Sequence, residues 1–178
     1  MSSGPFYAGI GSRETPANIR ALMAELAYDL GEQGYTLRSG AAEGADAAFE
    51  RGLADRHEKE IWLPWKGFNS HPSALYRPSA EALQLAATFH PAWERCSQGA
   101  KKLHARNMHQ VLGADLATPV DFVLCWTKDG AGAGGTGQAV RLAKSRDIAV
   151  FDFGLGPGVL ADFRDCLRDL QRERGRRP

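Results

Sequence analysis

Asp121-Phe-Val-Leu-Cys-Trp-Thr-Lys-Asp-Gly-Ala-Gly-Ala-Gly-Gly-Thr-Gly-Gln138 is the stretch that decides the fold. After Asp121, residues 122–126 form a short apolar run, the pattern of a strand buried on both faces. Five glycines follow between Gly130 and Gly137, and a helix is expected from about Thr136 to Ser145. Each glycine costs about 0.5–1 kcal/mol of ordering relative to alanine where the chain is fixed. Five together are a poor way to build a plain connector. A strand that leads through such a loop into a helix presents successive N–H groups to an anion. A flexible linker is the competing reading.

Outward from this unit, strands and helices alternate. Strands are expected at Pro5–Ile10, Tyr35–Arg38, Ile61–Pro64 and Ile148–Phe153. Thr15 and Pro16 supply an N-cap and a first-turn proline for a helix whose apolar residues run from Ile19 to Leu30, with Gly31 and Gly34 as stops. Further helices are expected at about Ala45–Ala54, Ser79–Phe89, within Trp93–Leu112, and at Gly158–Arg172. Residues 65–78 read as a long loop, and residues 172–178 as a basic, solvated tail. Alternation of this kind predicts an α/β fold: one doubly wound, mainly parallel Rossmann-like sheet, helices on both faces, a single domain over residues 1–178.

Composition excludes several classes. The chain has 178 residues, 22 Lys plus Arg against 21 Asp plus Glu, and a net charge of +1, so no bulk positive field marks a nucleic-acid binder. No apolar run approaches the ~18 residues of a membrane span. Met1–Tyr7 lacks the basic flank and apolar core of a signal peptide. Cys96, Cys125 and Cys166 are far apart, which suits reduced thiols and a cytoplasmic location. His104 and His109 are five residues apart, about 140° around a helix, so they do not share an ion. No metal site and no cofactor is expected.

Glycine is the compositional excess: 20 residues, nine of them in three clusters at strand exits. The first, Gly9-Ile-Gly-Ser-Arg13, places Gly11, Ser12 and Arg13 before a helix N-terminus, as a phosphate site or as a tight turn. The second is Ser39-Gly40-Ala41-Ala42-Glu43-Gly44-Ala45-Asp46. Its carboxylates suit a ribose hydroxyl, an exocyclic amine or a metal better than a phosphate, and Asp46 also suits a helix dipole. The third contains Gly134, Gly135, Thr136, Gly137 and Gln138. The Lys101–Gln110 segment is basic, either as a solvated helix face or as a phosphate contact through Arg106.

Together these motifs resemble the Rossmann-like nucleotide-binding superfamily shared by the DNA-processing protein A and Lonely Guy families. Gly9-Ile-Gly-Ser-Arg13, the Ser39–Asp46 turn and Gly134-Gly-Thr-Gly137 occur in the same order, across roughly residues 5–153. The second turn is closest to the DNA-processing pattern S-G-x-A-x-G-I-D, and that family binds single-stranded DNA. Leu103-His-Ala-Arg-Asn107 is similar to the Lonely Guy M-H-x-R-K motif, with Arg106 on the functional arginine. That family hydrolyses nucleoside monophosphates at the N-glycosidic bond. Its threonine position holds Gln138 here, and its catalytic glutamate position holds Arg141. An arginine opposes the cationic sugar of that transition state.

The resulting expectation is a binder of a nucleotide or related phosphorylated small molecule. Its site comprises Gly9, Gly11, Ser12, Arg13, Ser39, Gly40, Ala41, Gly44, Asp46, Arg106, Asn107 and Gly134–Gln138. Trp65, Phe68 or Tyr76 covers the base or belongs to the core. Glu43, Asp46 and Arg106 are the catalytic candidates if the chain is an N-glycosidase. Single-stranded DNA is the alternative partner, and a homodimer is compatible with the sequence.

Overall fold

The computed structural model describes residues 4–176. Five strands, β1 (Phe6–Gly9), β2 (Thr36–Ser39), β3 (Lys59–Ile61), β4 (Phe122–Cys125) and β5 (Ala149–Asp152), form one sheet. All pairings are parallel and the order is β3-β2-β1-β4-β5. The chain winds outward from β1 through β2 to β3, crosses back to β4, and ends at β5. The two central strands, β1 and β4, therefore flank the switch in strand order, where such sheets bind ligands.

Side-chain alternation along the strands explains the two covered faces. Phe6, Ala8, Ile10, Val123 and Cys125 pack on one side against α3 (Ala80–Phe89), α4 (Gln98–Leu112) and α5 (Gly134–Ser145). Tyr7, Leu37, Phe122 and Leu124 pack on the other against α1 (Ala17–Glu32), α2 (Ala45–Gly52) and α6 (Gly158–Gly175). A sheet with both faces under helices needs apolar residues at successive strand positions, as β1 and β4 have.

Several local expectations are corrected. The third strand lies at Lys59–Ile61, offset toward the N-terminus from the apolar run at 61–64. It is an edge strand, so Lys59 and Glu60 are tolerated, and Leu63 instead bridges to Tyr76. Thr15 does not cap α1: its hydroxyl donates to Ser12 O at 2.6 Å, and Pro16 precedes the first helical residue. Gly31 lies inside α1, where a side chain would overlap the His57 ring. Helix α5 starts within the glycine cluster at Gly134, not at Thr136. The first part of the basic tail is helical: α6 runs to Gly175, and Arg174 pairs with Asp121 at 2.6 Å while covering the Tyr35 ring. Arg177 and Pro178, like Met1–Ser3, lie outside the described residues.

Candidate functional site

The loops leaving β1, β2 and β4 converge on a cavity of about 600 Å³. Gly11, Ser12 and Arg13 line it from the first loop, Ala42, Glu43 and Asp46 from the second, and Ala133–Thr136 from the start of α5. Helix α4 closes one side with Leu103, His104, Arg106, Asn107 and Gln110, and Phe68 and Asn69 reach in from the long loop.

The loops brace one another. Ser12 N–H donates to Trp126 O at 3.1 Å, joining the β1 exit to the β4 exit. Ala45 N–H donates to Ser12 O at 3.3 Å, joining the first loop to α2. Gly44 permits that approach: its φ is +84°, and a Cβ there would press on the Ser12 and Arg13 backbone. Behind the wall, Ser39 Oγ donates to Gly9 O at 2.6 Å. The cavity is thus built on rigid strand ends.

Asp46 and Arg106 form its floor. Asp46 Oδ2 lies 3.7 Å from Arg106 Nη1, and both residues are buried. Nη1 also donates to the carbonyls of Gly40 and Trp62. A side chain at Gly40 would overlap the guanidinium, so Arg106 would have to leave this position. Burial pushes the Asp46 carboxyl up to about 6, against the pull of Arg106 and of the Ala42, Gly11 and Gly40 amides. Burial also lowers Arg106 from the usual arginine value, partly offset by Asp46. Arg106 Nε and Gln110 Nε2 are buried, with no hydrogen-bond partner among the described residues. Both belong to residues that line the cavity, and the two nitrogens lie beneath its surface.

The opposite wall is the N-terminal turn of α5. The first N–H groups of a helix lack intrahelical acceptors, and no side chain caps this end. Asn107 Nδ2 donates to Gly135 O at 3.1 Å, fixing α4 to the turn. The preceding loop hangs from Asp152 at the end of β5. Its Oδ1 accepts from Thr127 N–H at 2.8 Å and Gly154 N–H at 2.9 Å, and its Oδ2 accepts the Thr127 hydroxyl proton. Thr127 Oγ1 in turn accepts from Gly132 N–H at 3.0 Å.

The expected residues therefore divide. Gly11, Ser12, Arg13, Glu43, Asp46, Arg106, Asn107, Gly134, Gly135 and Thr136 line one cavity. Gly9, Ser39, Gly40, Ala41 and Gly44 do not line it. Gly137 lines a separate, smaller cavity of about 230 Å³ with Arg141 and Asp152. Gln138 is buried and donates to Ala86 O at 2.6 Å, so it braces α5 on α3. Of the three aromatic candidates only Phe68 lines the cavity. Trp65 stacks edge-on against Phe68, and Tyr76 packs on the core. Arg141 bonds the Phe89 carbonyl through Nε at 3.2 Å and Nη2 at 3.1 Å, away from the cavity. Glu43, which is exposed, and Asp46 are the carboxylates that line it.

Four contributors escape a reading of the sequence. Leu103 and Gln110 lie three and four residues either side of Arg106 and Asn107 on α4, the available signal. Asp152 ends a strand and gives no local hint that it holds a loop 20 residues upstream. His104 lines the cavity, and burial together with the neighbouring His90 holds its imidazole below the usual histidine range.

No family model and no curated protein matches this chain. Among solved structures it is similar to DNA processing protein A from Helicobacter pylori, described for its single-stranded DNA binding mode. The TM-score is 0.52 at 20% sequence identity, over 84% of this chain and 65% of that one, so the chain spans about two thirds of that protein's length. At this identity the likeness is one of fold: a Rossmann-like α/β sheet like that of DNA processing protein A.

Proposed function

We propose that the chain binds a nucleotide, or a nucleotide-derived small molecule carrying phosphate, in the cavity between the β1, β2 and β4 exits. The observation that carries this reading is the pairing of Gly11–Arg13 with the uncapped N-terminal turn of α5 across the strand-order switch. The volume lies within the usual range for small-molecule sites, about 300–1,000 Å³. Arg13 is exposed at the rim and makes no ion pair among the described residues, whereas Arg106 is paired with Asp46. Arg13 and the Gly134–Thr136 amides hold the phosphate, whose charge matches the helix end. Arg106 shapes the floor, held there by Asp46 and by the carbonyls of Gly40 and Trp62. Glu43 and Asp46 face the sugar or base, where hydroxyls and amines donate to carboxylates. Phe68 packs beside the base.

Two observations keep neighbouring readings in view. The likeness to a protein studied for single-stranded DNA binding favours a strand of DNA as the larger ligand, with one nucleotide seated in the same cavity. The two cavity carboxylates would serve N-glycoside cleavage, since Arg141 supplies no carboxylate.

Titration calorimetry with a panel of nucleoside 5′-monophosphates tests the preferred reading, with chromatography of the mixtures for released base. Saturable heat without free base supports binding alone, and free base supports the hydrolase. Binding confined to oligodeoxynucleotides, falling steeply as salt rises, replaces both with the DNA reading.

A further inference from the structure

His90, Cys96 and His104 come from three separate places in the chain: the C-terminal cap of α3, the residue after the short 3-10 turn at Trp93–Arg95, and the face of α4. One ligand atom from each lies within 4.8 Å of the others. The spacing of the histidines along α4 excludes a shared ion for His104 and His109, but it says nothing about His90 and Cys96, which the packing of α3 on α4 delivers. We propose that these three side chains form a site for a thiophilic transition-metal ion of the zinc type, set against the wall of the main cavity.

The geometry supports three ligands around one ion. Cys96 Sγ lies 3.6 Å from His90 Nε2 and 3.7 Å from Nδ1. Sulfur and nitrogen bound to one tetrahedral zinc, at about 2.3 and 2.0–2.1 Å, are separated by about 3.6 Å. The His90 and His104 ring centroids are 4.6 Å apart and tilted by 57°. His104 Nδ1 and Gln138 Oε1 are both buried, with no hydrogen-bond partner among the described residues. The two side chains lie beside one another. A carbonyl beside a ligating histidine is the usual outer partner that fixes its tautomer.

The surroundings constrain the metal. Arg141 and Arg106 add positive charge near His104, which repels any cation and makes an anionic ligand necessary, so the selection rests on the donor atoms. Two imidazoles and a thiolate suit zinc or copper(I) rather than magnesium or calcium. Binding removes the Cys96 thiol proton to solvent, and the thiolate offsets one ionic charge. Loading also has a local cost. His90 Nδ1 accepts Ala92 N–H at 3.1 Å, and ligation through either ring nitrogen disturbs that bond. Ligation through Nδ1 takes its lone pair, and ligation through Nε2 moves the ring proton onto Nδ1. Three protein ligands leave a fourth position for water or another donor. Because His104 also lines the main cavity, the ion shares a wall with the proposed nucleotide site but does not depend on what occupies it.

Cobalt(II) titration of the chelator-treated full-length chain tests the site. One equivalent is expected to give the near-ultraviolet thiolate-to-cobalt band and the intense visible bands of four-coordinate cobalt. Cys96→Ser is expected to abolish the near-ultraviolet band, and Cys166→Ser to leave it. His90→Gln is expected to weaken binding about tenfold or more, at least what outer-shell changes cost at metal sites. The half-buried position of all three ligands lets the variants be checked for native fold by circular dichroism before titration. Absence of the band in the unmodified chain overturns the proposal. So does its persistence in folded Cys96→Ser, or unchanged affinity in folded His90→Gln.

Discussion

Asp46 and Arg106 sit 3.7 Å apart beneath the cavity, both buried, and Arg106 also reaches the carbonyls of Gly40 and Trp62. The ion pair thereby ties the second glycine turn to α4 and to the chain after β3. Removing one partner of a buried pair strands the other charge. Arg106→Met is expected to lower unfolding stability by about 3–5 kcal/mol, read as a shift of the urea midpoint. A change below about 1 kcal/mol would show that Arg106 is held for ligand contact and not for the floor.

The same pair gives a pH signature. The folded-state pKa of Asp46 is about 6, raised from 3.8 by burial. A raised acid stabilises the fold below its unfolded pKa, and that contribution is lost as pH rises through the folded value. Between about pH 4 and pH 6 the loss attributable to Asp46 is about 2 kcal/mol, most of the total that a shift of this size carries at ~1.4 kcal/mol per unit. Thermal unfolding of the unmodified chain and of Asp46→Asn, followed from pH 4 to 7, checks this. The variant is expected to show the shallower decline over that window, and parallel curves would contradict the assignment.

Much of this arrangement is legible in the sequence, and the exceptions have physical causes. The apolar run at Phe122–Cys125 and the glycines after it identify a strand, loop and helix because both faces of the strand are buried and the loop must turn tightly. Lys59–Ile61 is less legible: an edge strand needs fewer apolar residues, so the apolar run at 61–64 draws the reading two residues too far. The glycine clusters point to the cavity, but Gly40 serves the Arg106 guanidinium and Gly44 serves the Ser12 backbone. A motif letter cannot separate a residue that touches ligand from one that makes room for its neighbour. Gln138 and Arg141 show the same limit, since their partners Ala86 and Phe89 are about 50 residues away.

Asp152 carries the glycine loop through Thr127, with three of its contacts buried or part-buried. Asp152→Ala leaves the Thr127 and Gly154 amides without their acceptor, a cost of about 1–3 kcal/mol each when a buried group stays unpaired. Amide hydrogen exchange is expected to accelerate across residues 127–135, with the amides of β1 unchanged. Uniform acceleration throughout the sheet would mean that Asp152 supports the whole fold and not the loop.

The claim that α5 and the first glycine turn clasp a phosphate is tested most directly at Gly135. A Cβ there meets nothing within 4 Å, so Gly135→Asp fits the fold while placing a carboxylate at the helix end. Calorimetric titration of a nucleoside 5′-monophosphate into the unmodified chain is expected to give saturable binding. In Gly135→Asp the affinity is expected to fall about tenfold or more, about 1.4 kcal/mol, since an anion at a helix N-terminus repels the phosphate it should attract. Binding by Gly135→Asp as tight as by the unmodified chain, or no binding of any nucleoside monophosphate by either, would contradict the claim.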